Sequence, residues 1–147
     1  MKILIPPVLF LLCIAGMFAA KRLIVPQTII DAPYNRLGIG LVALGFCMIA
    51  YIGLLLIRRR TEIHTFHTPR KLVTEGLFRY SRNPIYLGFT IALIGVSVYL
   101  GNWLSFIGVL IFWLVANFWY IPFEEKQMLM QFGKEYQSYK AKVSRWI

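Results

Sequence analysis

Leu72–Gly88 reads LVTEGLFRYSRNPIYLG and separates two strongly apolar segments of the chain. It carries Gly76, Arg82, Asn83 and Pro84, whose backbone and charge roles a lipid-buried helix does not need. A second polar cluster, Glu124 and Glu125, follows the last apolar segment. The fold is decided by what flanks these two interruptions, and the expectation is that they meet at one face and form one site.

The flanks are apolar enough to set the class of protein. Of 147 residues, 59% are hydrophobic and 15% charged, and the mean hydropathy is +0.65; this is integral-membrane composition rather than soluble composition. The net charge of +10 sits largely at the ends of apolar runs. There it reads as topology signals and contacts to anionic lipid headgroups, not as a nucleic-acid surface.

Downstream of the opening stretch, apolar runs cover 85–100 and 103–121, separated only by Gly101 and Asn102, so the two helices form a tight antiparallel hairpin. Tyr99 and Trp103 flank its tip as interfacial aromatics do. Upstream, a run over 37–57 is long enough for the roughly 30 Å hydrocarbon core and stops at Arg58, Arg59 and Arg60. An earlier run over 3–20 ends at Lys21 and Arg22. Met17 and Phe18 stand where a signal-peptide cleavage site needs small residues, so a retained span is expected, with Pro6 and Pro7 in its first turns. The fold class read from this pattern is an all-α membrane protein with four transmembrane helices.

Arg58, Arg59, Arg60, Arg70, Lys71, Arg79 and Arg82 fall in the loop 58–82, and five further basic residues follow Phe123. The opposite side carries only Lys21, Arg22 and Arg36. The positive-inside rule places both termini, the central loop and the tail 123–147 in the cytoplasm of a bacterial or archaeal-type cytoplasmic membrane. In the tail, Met128, Leu129, Phe132, Tyr136, Tyr139 and Val143 recur at helical spacing, which predicts a C-terminal amphipathic helix weakened at Gly133. Cys13 and Cys47 lie inside spans, and His64 and His67 lack a nearby third ligand, so no metal site is expected.

Asn83-Pro84 is a helix-start signal, because asparagine caps well and proline at the first helical position leaves no amide unsatisfied. Arg82 beside that start makes a seat for an anion, with a capped helix and a snorkelling arginine as the plainer reading. Gly76 marks a tight turn or a close ligand approach, and His67 is near enough to help line a pocket. Pro122 is expected to kink or end the last span just before Glu124 and Glu125. These neighbours point about 100° apart on a helix, so one faces inward and the other solvent or Lys126.

The succession Val73-Thr74-x-Gly76, Arg82-Asn83-Pro84-x-Tyr86, Glu124-Glu125, Phe132-Gly133-x-x-Tyr136-x-x-Tyr139 and Val143-x-Arg145 resembles the integral-membrane methyltransferases, which include isoprenylcysteine carboxyl methyltransferases and phospholipid N-methyltransferases. The resemblance runs from about Arg70 to the C-terminus. It implies S-adenosylmethionine as methyl donor in a pocket on the cytoplasmic side, and a lipid or lipid-modified acceptor reached from the bilayer. By position it implies that Arg70, Lys71, Leu72, Val73 and Phe78 border the cofactor. Asn83, Pro84, Ile85 and Tyr86 contact it, and Glu124 binds it. If the acceptor is an amine it must lose a proton, for which Tyr120, Glu125 or His67 stand available. Asn83 replaces a histidine common in the family, and Tyr120 stands where the isoprenylcysteine enzymes have an arginine implicated in substrate binding. A different class of reading is a small scaffold or transport subunit that keeps the fold without catalysis.

Overall fold

The computed structural model describes residues 5–24, 27–60 and 71–147. Its helices are α1 (Pro6–Ile24), α2 (Leu37–Arg58), α3 (Pro84–Leu100), α4 (Phe106–Val115) and α5 (Ile121–Lys142). Among the described residues, extended pairing is limited to one bridge between Thr28 and Asn102. Three stretches are long and apolar enough to cross a membrane: Pro6–Ile24, Tyr34–Arg58 and Trp103–Lys142. α3 has 17 residues, or about 26 Å of helix, somewhat short of a full crossing.

α2 and α3 pack most intimately, and glycine is the reason. A Cβ at Gly38 would collide with the carbonyl oxygen of Gly95, and one at Gly45 would lie 2.5 Å from that of Gly88. The two glycine pairs meet in reverse order along the chain, so the helices are antiparallel. Without side chains at these points the backbones approach closely, which is how helices gain packing energy where lipid offers no hydrophobic drive. Gly45→Leu is therefore expected to lower the thermal midpoint in detergent clearly, because overpacking against backbone costs about 1–3 kcal/mol or more. Gly53→Leu on the same helix meets open space and should change it little; equal losses in the two variants would contradict this packing.

α1 closes the bundle. Phe10 meets Phe89 of α3 and Phe112 of α4 at ring distances of 4.8 and 6.3 Å, and Met17 lies against Gly108. Lys21 donates to the Leu100 carbonyl at 2.8 Å, a cation at the helix C-terminus where the dipole favours it. The connector between α1 and α2 holds the same corner: Ile29 and Ile30 amides both donate to the Gly101 carbonyl. Gly101 takes φ 72° and ends α3, and the Asn102 side chain accepts from the Ser105 amide to start the next turn. Leu11, Leu12, Phe18, Leu44, Leu54 and Leu110 remain exposed on the outside of the bundle, a belt that suits acyl chains and not water.

The last span departs from expectation. Pro122 does not end it: α4 passes through a wide π-type turn at Ala116–Tyr120 directly into α5. A widened turn relieves the clash between a proline ring and the carbonyl four residues back, here Phe118, so the helix continues. The tail is thus an extension of the span, interrupted at Gly133, which leaves helical space at φ 50°, ψ −120°. Only the part beyond that break buries its apolar stripe, through Tyr136 and Tyr139; Leu129 and Met130 stay exposed.

Candidate functional site

The approach to α3 is built residue by residue. Gly76 adopts φ 60°, a left-handed conformation that favours glycine, and it faces the Tyr51 hydroxyl, 2.7 Å from where a Cβ would sit. The short turn Gly76–Arg79 follows, and α3 begins at Pro84. Asn83 occupies the cap position, but its side chain makes no capping bond. It donates instead to the Arg145 carbonyl at 3.1 Å. The same carbonyl accepts from the Ser81 hydroxyl, and the Arg82 amide donates to the Ser144 carbonyl at 3.0 Å. Tyr139 donates to the Phe78 carbonyl at 2.6 Å. The chain end is strapped across the start of α3, and the Asn83 side chain is turned to donate to that strap rather than to offer its oxygen to the first amides of the helix.

Beneath the strap lies a charge cluster. Of the two adjacent carboxylates, Glu125 is the enclosed one, at 8% exposure. Arg82 Nη1 lies 3.1 Å from its Oε1, Arg145 Nη2 3.0 Å from its Oε2, and Lys140 Nζ 3.3 Å from the same oxygen. Burial alone would raise the Glu125 carboxyl, but hydrogen bonding from Arg145 and the charges of Arg82, Arg145 and Lys140 outweigh it and hold it below the usual carboxylate range. Arg82 is equally enclosed. Its Nη1 touches Glu125 without hydrogen-bond alignment, and its Nε has no hydrogen-bond partner among the described residues. Three cations around one carboxylate leave the cluster net positive.

Glu124 faces a different neighbour. Half-buried, it accepts a hydrogen bond from the Tyr86 hydroxyl at 2.8 Å. The Tyr86 ring stacks on Tyr120 at 6.1 Å, and Tyr120 on Trp119 at 5.7 Å. The π turn also bears on the strap: the Asn117 backbone carbonyl and Oδ1 both accept from Arg145 at 3.4 Å, and the Trp146 indole donates to that Oδ1 at 3.1 Å. Trp146 stacks on Trp113.

The structure thus brings Arg82, Asn83, Pro84, Tyr86, Tyr120, Glu124 and Glu125 into one contiguous region. Ile85 is half-buried against the core beside it. Phe78 joins through its backbone carbonyl, whereas Gly76 faces Tyr51 of α2. Lys71, Leu72 and Val73 lead into the turn with no regular structure. His67 and Arg70 lie outside the described residues. Ser81, Asn117, Lys140 and Trp146 join this region as well, though the sequence reading assigned them no role in it, and Arg145, quoted only as the close of the last motif, proves central to it. Asn117, a polar residue inside an apolar span, carried the clearest available signal.

Residues 34–135 match the family model described as phospholipid methyltransferase. An uncharacterized protein of Haemophilus influenzae is 43% identical over 63 residues, which are 43% of this chain and all of that protein. A probable protein-S-isoprenylcysteine O-methyltransferase of Oryza sativa subsp. indica is 39% identical over 83 residues, 56% of this chain and 42% of the relative. The solved structure of the eukaryotic intramembrane Ras methyltransferase, isoprenylcysteine carboxyl methyltransferase, has the same fold. It superposes with a TM-score of 0.70 at 20% identity, covering 96% of this chain and 51% of that one. The chain spans about half or less of the length of these two named methyltransferases.

Proposed function

The chain belongs to the phospholipid methyltransferase family of integral-membrane proteins, and from that premise we propose that it transfers a methyl group from S-adenosylmethionine to a lipid-like or membrane-partitioned acceptor. The observation that carries this reading is the pairing of a net-positive charge cluster at Arg82 with a separate half-buried carboxylate, Glu124, one residue from the cluster's own counter-ion. A methionyl moiety has one carboxylate and one ammonium, and the two halves of the site match them in charge. The buried Arg82 Nε, without a hydrogen-bond partner among the described residues, is the kind of donor such a ligand would satisfy.

When bound, S-adenosylmethionine supplies an electrophilic methyl on a cationic sulfur, open to in-line displacement by the acceptor. The protein's part is alignment. Glu124, fixed by Tyr86, holds the ammonium; Arg82 and the amide end of α3 face the carboxylate; Tyr86 and Trp119, with Phe78 nearby in sequence, offer aromatic faces to the cationic sulfur. Glu125 is assigned a positioning role, since a carboxylate held low by three cations is a poor proton acceptor. Tyr120, at the position of the arginine in isoprenylcysteine enzymes, is the residue we place toward the acceptor. We read α3 as a fourth crossing and, from the basic loops, both termini as cytoplasmic. Calorimetric titration of the purified protein in lipid-like detergent with S-adenosylmethionine tests the assignment. Saturable binding is expected, and its absence would favour a non-catalytic member of the fold.

A further inference from the structure

Two adjoining cavities lie where the Gly76–Arg79 turn faces α2, and neither includes Glu124, Tyr86 or Arg82. The first, about 520 Å³, is lined chiefly by Cys47, Met48, Tyr51, Leu77 and Tyr80. The second, about 430 Å³, is lined by Leu55, Arg58, Arg59 and Glu75. Tyr51, Gly76 and Arg79 line both and join them. The groove therefore changes character along α2, from apolar beside Cys47 to basic beside Arg58. That interval is about 16 Å of helix, comparable to the reach from a phospholipid's upper acyl chain to its phosphate.

The charge in the basic half is unbalanced. Among the described lining residues Glu75 is the only carboxylate, and it forms a two-pronged ion pair with Arg59, one arm at 2.6 Å. Arg58 and Arg79 have no acidic partner among the described residues. Two uncompensated guanidinium groups at the end of an apolar helix, beside an open apolar cleft, match one class of ligand. We propose that the groove docks an anionic phospholipid of the surrounding bilayer, its phosphate between Arg58 and Arg79 and its acyl chain along Cys47, Met48 and Leu77. This site is separate from the proposed methyl-transfer region and does not rest on it. Its occupant would steady the turn through which the chain enters α3.

Native mass spectrometry of the full chain in micelles supplied with phosphatidylglycerol or phosphatidylcholine tests the proposal. One phosphatidylglycerol should remain bound in clear preference to phosphatidylcholine. The Arg58→Gln/Arg79→Gln variant should lose that preference, with about a fivefold fall in retention for each arginine. Cys47→Trp keeps every charge and fills the apolar half; it should also reduce retention, and it serves if the double variant folds poorly. A Lys134→Gln/Lys142→Gln control on the distal tail should retain lipid as the unmodified protein does. Equal retention of the two lipids, or undiminished retention in both groove variants, would overturn the proposal. Displacement of the adduct by inorganic phosphate, with Cys47→Trp without effect, would identify a free-phosphate site and overturn the lipid assignment.

Discussion

Glu125→Ala is expected to unfasten the C-terminal segment and to be the most destabilising single change in the polar half of the protein. The carboxylate is the common counter-ion of Arg82, Arg145 and Lys140. Arg82 is the critical partner, because its side chain is 8% exposed and cannot recover hydration when the carboxylate is removed. Removing one partner of a buried pair leaves an uncompensated charge and typically costs about 3–5 kcal/mol. The loss should spread beyond the pair. Arg145 is held by Glu125 and Asn117, and its carbonyl in turn holds Ser81 and Asn83. A lower thermal midpoint in detergent and new proteolytic cleavage beyond Lys140 should therefore appear together. A variant as stable and as resistant as the parent would show that the cluster is not what fastens the strap.

Glu124→Gln is expected to act on affinity instead. The amide keeps a carbonyl oxygen to accept from the Tyr86 hydroxyl, so the local structure has little reason to move. What disappears is the negative charge proposed to face the donor's ammonium. Hydrogen bonds to charged groups contribute about 1.5–3 kcal/mol, so S-adenosylmethionine affinity should fall about tenfold to a hundredfold while the thermal midpoint of the ligand-free protein barely changes. Calorimetric titration measures the first and a melting curve the second. Unchanged affinity would remove Glu124 from the proposed binding role.

The contrast between these neighbours shows where sequence reasoning reaches its limit. Helix positions were legible because lipid imposes a length and an all-apolar composition: the runs 37–57 and 85–100 correspond to Leu37–Arg58 and Pro84–Leu100. The helix start at Pro84 was legible because proline fixes local backbone chemistry. Which glutamate is enclosed was not, because it depends on helix rotation after the π turn and on an arginine returning from 20 residues downstream. Continuity through Pro122 was hidden for a related reason: a widened turn is a backbone response that leaves no mark in residue spacing. Asn83 looked like a cap because only its local options were visible, whereas the structure gives its amide to a carbonyl 62 residues away. The glycines at 38, 45, 88 and 95 were visible as residues, but their pairing required the antiparallel register.

The proposed methyl transfer within the membrane rests on family membership and on the charge pattern around Arg82 and Glu124. The most direct test is to incubate membranes with and without the protein with methyl-labelled S-adenosylmethionine, then separate lipid-phase from soluble products. The account predicts protein-dependent label in a lipid-phase product, strongly reduced by Glu124→Gln. Label confined to soluble products would contradict the membrane-partitioned acceptor, and no protein-dependent label in either phase would contradict the enzymatic reading itself.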